Sequence, residues 1–287
     1  PQDDTQTPVA ADITRRITAT LEGDVATLVA PSYQDFFGSD VGLDLLAVLP
    51  SDGTISVESF DLRAKALQLS GRVDLNQDRW PVLIDVSGRM SDPDGALVLL
   101  PGGNGETALR NATLAVMYDA ANGEALRGEF DIAAFSAPGV VLDQVSLIVD
   151  GTLQGELGSV GQFLADVDMQ AQGVKLDDPA MSRAVGDDLV AKAKVNYIEG
   201  QPVRLSGIRL SGEGLGLDGW MIVGALADGF PARFSLALQA SGLERFADLA
   251  QQPISGAASV QVAGRAAPLA GTFDVKVDGR TVNLGVG

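Results

Sequence analysis

The side chains that most often carry chemistry at neutral pH are missing from this sequence. Its 287 residues include no histidine and no cysteine. Disulfides, thiol chemistry, and Ser–His–Asp or Cys–His catalysis are therefore excluded, along with the commonest neutral-pH base and metal ligand. Carboxylates remain for acid–base work, and paired Asp/Glu side chains could serve glycoside hydrolysis. Asp92 and Asp94 are such a pair, but Pro93 and Gly95 make this stretch a turn. Elsewhere no Asp or Glu stands on an apolar face with a second beside it, so an enzyme is not expected. Gly212-Glu213-Gly214 could suggest a phosphate loop, yet a strand pattern follows where a helix start is required; a β-turn is the plainer reading. Pro101–Glu106, PGGNGE, is similar to a calcium-binding nonapeptide turn, but it occurs once and has Glu106 where Asp is needed, so it reads as a loop. Asn111-Ala112-Thr113 is a formal glycosylation sequon to which we attach no weight. No metal or cofactor is expected.

The elements that would have to position any site are strands. From Arg204 to Leu243, apolar side chains alternate with small or polar ones: Ile208 and Leu210, then Leu215, Leu217, Met221 and Val223, then Phe234, Leu236 and Leu238. Period two is the mark of a strand with one apolar face. The same texture runs through Leu67, Leu69, Val73 and Leu75, then Val82, Ile84 and Val86, then Phe130 and Ile132. It continues through Val145, Leu147 and Val149, then Val260 and Val262, then Phe273 and Val275. These residues are the candidate lining of one wide aliphatic surface. Helices are expected only as short crossings near Thr27–Phe37, Val160–Leu164, Pro179–Val185 and Leu243–Ala250, with Gly38 stopping the first and Asp178 capping the third. A short helical stretch is also expected from Asp24 to Leu28, and a bulge or kink near Ala64–Ala66.

The chain repeats itself. Shifting Phe37–Leu75 by 148 positions lays it on Val185–Val223 without a gap. Gly38 meets Gly186, Asp40 meets Asp188, Leu62 meets Leu210, and Leu67, Leu69 and Gly71 meet Leu215, Leu217 and Gly219. After a slip of two, Trp80-Pro81 meets Phe230-Pro231, and TLEGDV at Thr20–Val25 is echoed by TLQGEL at Thr152–Leu157. Units of about 14–106, 107–239 and a partial third over 240–287 follow, in one continuous structure without a confident domain boundary. We expect a segment of a longer chain. Hydrophobic residues are 46% but aromatics only 5%, which suits a broad aliphatic sheet better than a compact centre filled by rings. The net charge of −18 disfavours nucleic acid and anionic membrane surfaces as partners. No run of about 18 apolar residues is present to span a membrane as a helix.

On these stretches, TLEGDVATLVAPSYQDFFG, TLQGEL, ALQLSGRVDL, GLGLDGWMIV, WPVLIDVSGRM and FPARFSLALQASGL, the sequence resembles the TamB-like family within the AsmA-like, bridge-like lipid-transfer group of Gram-negative bacteria, in an alphaproteobacterial style. The resemblance implies an all-β, mainly antiparallel or mixed sheet, elongated and curled into an open groove, apolar inside and polar outside. It implies a periplasmic body of an inner-membrane-anchored protein, carrying phospholipid acyl chains between the membranes and linked to outer-membrane protein assembly. A TamA-like outer-membrane barrel partner would be met by parts of the chain beyond this segment. Two other readings stay open from the residues alone. One is a β-solenoid or sandwich, a structural or adhesin segment whose apolar face is a dry core. The other is a carbohydrate-active β-protein, which needs exposed aromatic platforms, and only Trp80, Trp220 and three tyrosines are available for them.

Overall fold

The computed structural model describes residues 14–24, 29, 31–100, 106–155, 158, 160–224, 231–267 and 272–286. The alternation seen in the sequence becomes one 18-stranded sheet. Strands β1 (Arg15–Gly23), β2 (Val41–Leu49), β3 (Ile55–Arg63), β4 (Leu67–Leu75) and β5 (Pro81–Ser91) pair in succession. The short β6 (Val98–Leu99) and β7 (Ala108–Leu109) make a small side hairpin. The main path resumes with β8 (Asn111–Asp119), β9 (Ala125–Ala137), β10 (Val140–Gln154) and β11 (Gln162–Gln172). After the short β12 (Lys175–Leu176) come β13 (Leu189–Ile198), β14 (Val203–Gly212), β15 (Leu215–Val223), β16 (Ala232–Ala240), β17 (Ile254–Ala267) and β18 (Thr272–Val286). Every pairing is antiparallel between neighbours along this path, so the sheet is a meander with β1 and β18 at its edges. It curls but does not close into a barrel.

The connections sort by end. At one end of the strands lie the helices α1 (Pro31–Phe37), α2 (Pro179–Val185) and α3 (Ala247–Ala250), the last preceded by a 3-10 turn over Leu243–Phe246. At the other end lie mostly tight turns. Asp178 caps α2 by accepting from the Ala180 amide, with Pro179 in the first turn. Gly38 ends α1 at φ +70°, a conformation open to glycine. The helical end covers the last row of the apolar face. Phe36, Ala66, Val98 and Leu109 pack over Leu67, Met90, Ala112 and Ile132. Val174, Leu176 and Val185 pack over Val145, Ala171 and Leu189.

The two stretches related by 148 positions share their pairing as well as their sequence. Leu62–Leu69, Phe60–Gly71, Val57–Val73 and Ile55–Leu75 are opposite one another, and so are Leu210–Leu217, Ile208–Gly219, Leu205–Met221 and Val203–Val223. The register shift falls at the same place in both, between Val57 and Phe60 and between Leu205 and Ile208. Gly71 and Gly219 also play one part. A Cβ on Gly71 would stand 2.2 Å from the Asp85 carbonyl oxygen, and one on Gly219 would stand 2.3 Å from that of Ser235. Each admits the next strand closer than any side chain would, which lets the sheet bend.

Two local expectations are corrected. Val160–Leu164 is not a helix: Val160 and Gly161 are irregular and β11 starts at Gln162, because Phe163, Ala165, Val167, Met169 and Ala171 alternate onto the apolar face. Ala64–Ala66 is the connection between β3 and β4, and the bulge sits at Glu58–Ser59 instead. Residues 107–119 do not form one strand but divide into β7 and β8 at Arg110. Residues 25–28, where the short helical stretch after Asp24 is expected, and 101–105, all of the calcium-like turn except Glu106, lie outside the described residues.

Candidate apolar groove

Antiparallel partners share a face, so the register carries one face across the whole sheet. Leu69 stands beside Gly88, then Leu114, Phe130, Leu147 and Met169. The row continues through Ala191, Leu210, Leu217, Leu238 and Val260. A parallel row runs from Val73 through Ile84 and Tyr118 towards the turn end. Across the sheet, Met221, Phe234 and Val275 belong to this same face. The expected lining residues Leu67, Leu69, Val73, Leu75, Ile84, Val86, Phe130, Ile132, Val145, Leu147 and Val149 all fall on this face. So do Ile208, Leu210, Leu215, Leu217, Met221, Val223, Phe234, Leu236, Leu238, Val260, Val262 and Val275. Val82 differs: Leu75 pairs with Pro81 and Asp74 with Leu83, so Val82 is the extra residue of a register shift. Phe273 pairs with Ala266 in the same register, but its side chain lies outside the described residues.

Burial along this face is graded. It is deepest in the middle strands, where Val145, Tyr118 and Ala165 are buried. It falls towards both edges: Leu21 is 62% exposed on β1 and Val277 is 63% exposed on β18. Most of the remaining lining is half-buried. The whole chain exposes 17461 Å², against about 11,600 Å² for a compact chain of this mass. Among the large apolar side chains of this face, Ile17, Leu21, Val275 and Val277 are exposed.

A cross-connection at the turn end holds the curl. Trp80, before β5, donates from Nε1 to Glu199 Oε2 at 3.0 Å, in the turn after β13. Five strand-to-strand steps separate these turns along the sheet; laid flat, that is roughly 24 Å. A hydrogen bond across that span requires the turn ends to be drawn together. Asn76 Nδ2 donates to the Gly155 carbonyl at 2.6 Å, Asp78 accepts from the Gly158 amide at 2.6 Å, and the Trp80 ring lies against Gly155 and Gly161. Within the curl, Tyr118 donates to the Leu153 carbonyl at 2.8 Å, and burial raises its phenol above the ordinary tyrosine range. The sequence marked Trp80 as a candidate platform and as the counterpart of Phe230 in the repeat, and nothing in it points to Glu199, 119 residues away.

The opposite face is charged, and its charges answer one another across strands. Arg127 bonds Asp150 at 2.6 Å, Lys194 bonds Asp166, Lys192 bonds Asp168, and Arg72 faces Asp85 at 3.3 Å. Arg63 bonds Asp44 at 2.6 Å and holds that carboxyl below its ordinary range. A depression of about 500 Å³ on this face is lined by Arg72, Asp85, Arg127 and Asp150, which are already engaged in those pairs. No protein family, curated protein or solved structure matches this chain. Among the described residues no group of acids is placed to hold a metal ion, and no helix is long and apolar enough to cross a membrane.

Proposed function

We propose that the curled sheet binds lipid acyl chains along its apolar face, as a conduit segment of a periplasmic, membrane-bridging protein of the TamB-like kind. One observation carries the reading: a single apolar face, in continuous register from β2 to β18, that no second layer of described residues covers beyond its helical-end row. Such a face solvates an acyl chain at about 0.8 kcal/mol per methylene transferred. Head groups can remain in water at the open edges, where Leu21 and Val277 already meet solvent. The paired charges outside keep the convex surface wetted. Binding is favoured over catalysis because those carboxylates are spent on neighbouring cations. The membrane-bridging role, the inner-membrane anchor and a barrel partner at the outer membrane rest on the resemblance alone.

The test is organic extraction of the purified chain followed by mass spectrometry. Stoichiometric co-purifying phospholipid supports the reading. A chain purified from membrane lysate without lipid, and unable to take up a fluorescent fatty acid, contradicts it and favours the dry-core alternative.

A further inference from the structure

The cations of the outer face are not all alike. In the middle strands most face an acid across the ladder, as in Arg127–Asp150 and Arg209–Asp218, with Arg89 on β5 an exception. Near the turn end of β14 to β17 the pattern breaks. Arg204, Ile222, Arg233 and Arg265 follow one another in a single row across four adjacent strands. Arg233 and Arg265 are directly opposite, an arrangement of like charges that destabilises a sheet when nothing lies between them. All three arginines are exposed, and among the described residues none has an ion pair or side-chain hydrogen bond. Asp274 stands opposite Arg265 in the register, yet no ion pair joins them. Lys276, one row further in on β18, is likewise exposed and unpaired. This concentration of positive charge sits in a chain of net charge −18.

We infer that Arg233 and Arg265, with Arg204 beside them, form a binding site for a phosphate-class oxyanion on the convex face. Directly opposed residues on antiparallel strands stand about 5 Å apart at Cα, so two guanidinium forks can close on one tetrahedral anion. Each fork offers parallel N–H donors matched to its oxygens. Arg204 lies two strands from Arg233, about 10 Å at Cα, near enough to add a third donor over the apolar floor of Ile222. The anion relieves the Arg233–Arg265 repulsion, on the side of Arg265 away from Asp274. The site is on the other side of the sheet from the apolar face and does not depend on what fills that face. The same chemistry is offered by free phosphate and by a phospholipid head group.

Calorimetric titration of the full chain with inorganic phosphate tests the site, alongside flotation with phosphatidylcholine vesicles with and without phosphatidylglycerol. We expect saturable binding that weakens about tenfold or more in Arg233→Gln and in Arg265→Gln, the loss of a charge-assisted contact. Arg89→Gln, an exposed unpaired arginine on β5, should leave it unchanged. Binding of phosphate in solution identifies the free ion as sufficient. Binding only to phosphatidylglycerol vesicles, lost in the same two variants, identifies the head group. Equal weakening in all three variants would mean bulk attraction and would overturn the site, as would no saturable binding to either probe.

Discussion

Gly161→Ala should release the turn-end connection, and its size can be worked from the contacts. Gly161 is buried, and a Cβ there would stand 1.7 Å from both Cε2 and Cζ2 of Trp80 and 2.4 Å from Nε1. A rigid indole cannot yield by a rotamer adjustment of its tip, so the whole ring must move. Overpacking of this kind costs about 1–3 kcal/mol. The Trp80–Glu199 hydrogen bond at 3.0 Å is lost with it, adding about 1 kcal/mol once its solvent exposure is discounted. The expected total is about 2–4 kcal/mol, or roughly 3–7 °C in Tm for a chain of this size. Thermal melts by far-ultraviolet circular dichroism read the loss, and tryptophan emission should shift to the red as Trp80 is wetted. Trp80→Ala should itself destabilise, but adding Gly161→Ala to it should cost little more, because the alanine methyl then meets no ring. If Gly161→Ala melts and emits like the parent, the indole does not lie on Gly161 in solution and the drawn-in curl is wrong.

Val145→Asp should prevent folding, because it puts a charge among Ala171 and Val174; Leu217→Asp, on the half-buried open stretch, should fold and melt within a few degrees of the parent while retaining less lipid. Tyr118→Phe should cost about 1–2 kcal/mol by leaving the Leu153 carbonyl without its donor, read by chemical denaturation. Since the folded phenol titrates above its unfolded value, this contribution is complete below about pH 10 and should fade as pH rises from there through the folded value. Arg63→Gln should return the Asp44 carboxyl towards its ordinary pKa in a carboxylate NMR titration. That depressed pKa contributes stability above the ordinary carboxylate value and loses it as pH falls through the folded one, so the parent's acid-side advantage over the variant should vanish at low pH.

Much of the strand plan was legible. The bounds of β4 coincide with the alternation of Leu67, Leu69, Val73 and Leu75 that predicts it, as do those of α2 behind its Asp178-Pro179 start. The pairing of the repeated stretches follows from their sequence because period two fixes which side of a strand faces its neighbour's apolar side. β11 was obscured because Ala165 and Ala171 are small and Leu164 faces outward, which blurs the contrast between faces. The curl was hidden for another reason. It depends on glycines whose missing Cβ matters only once a neighbouring carbonyl is in place, as at Gly71 and Gly219, and on partners as distant as Trp80 and Glu199. The opposition of Arg233 and Arg265 likewise exists only once β16 and β17 are in register.

The lipid reading rests on one face of one sheet, and neighbouring residues sample both faces. A photo-crosslinking amino acid placed at Leu217 points onto the apolar face, while one at Asp218 points onto the charged face. With the chain expressed in its own membrane-bounded cell and irradiated there, the account predicts phospholipid adducts at Leu217, and equally at its counterpart Leu69, with none at Asp218. Adducts absent from Leu217 and Leu69, or as frequent at Asp218, would contradict it.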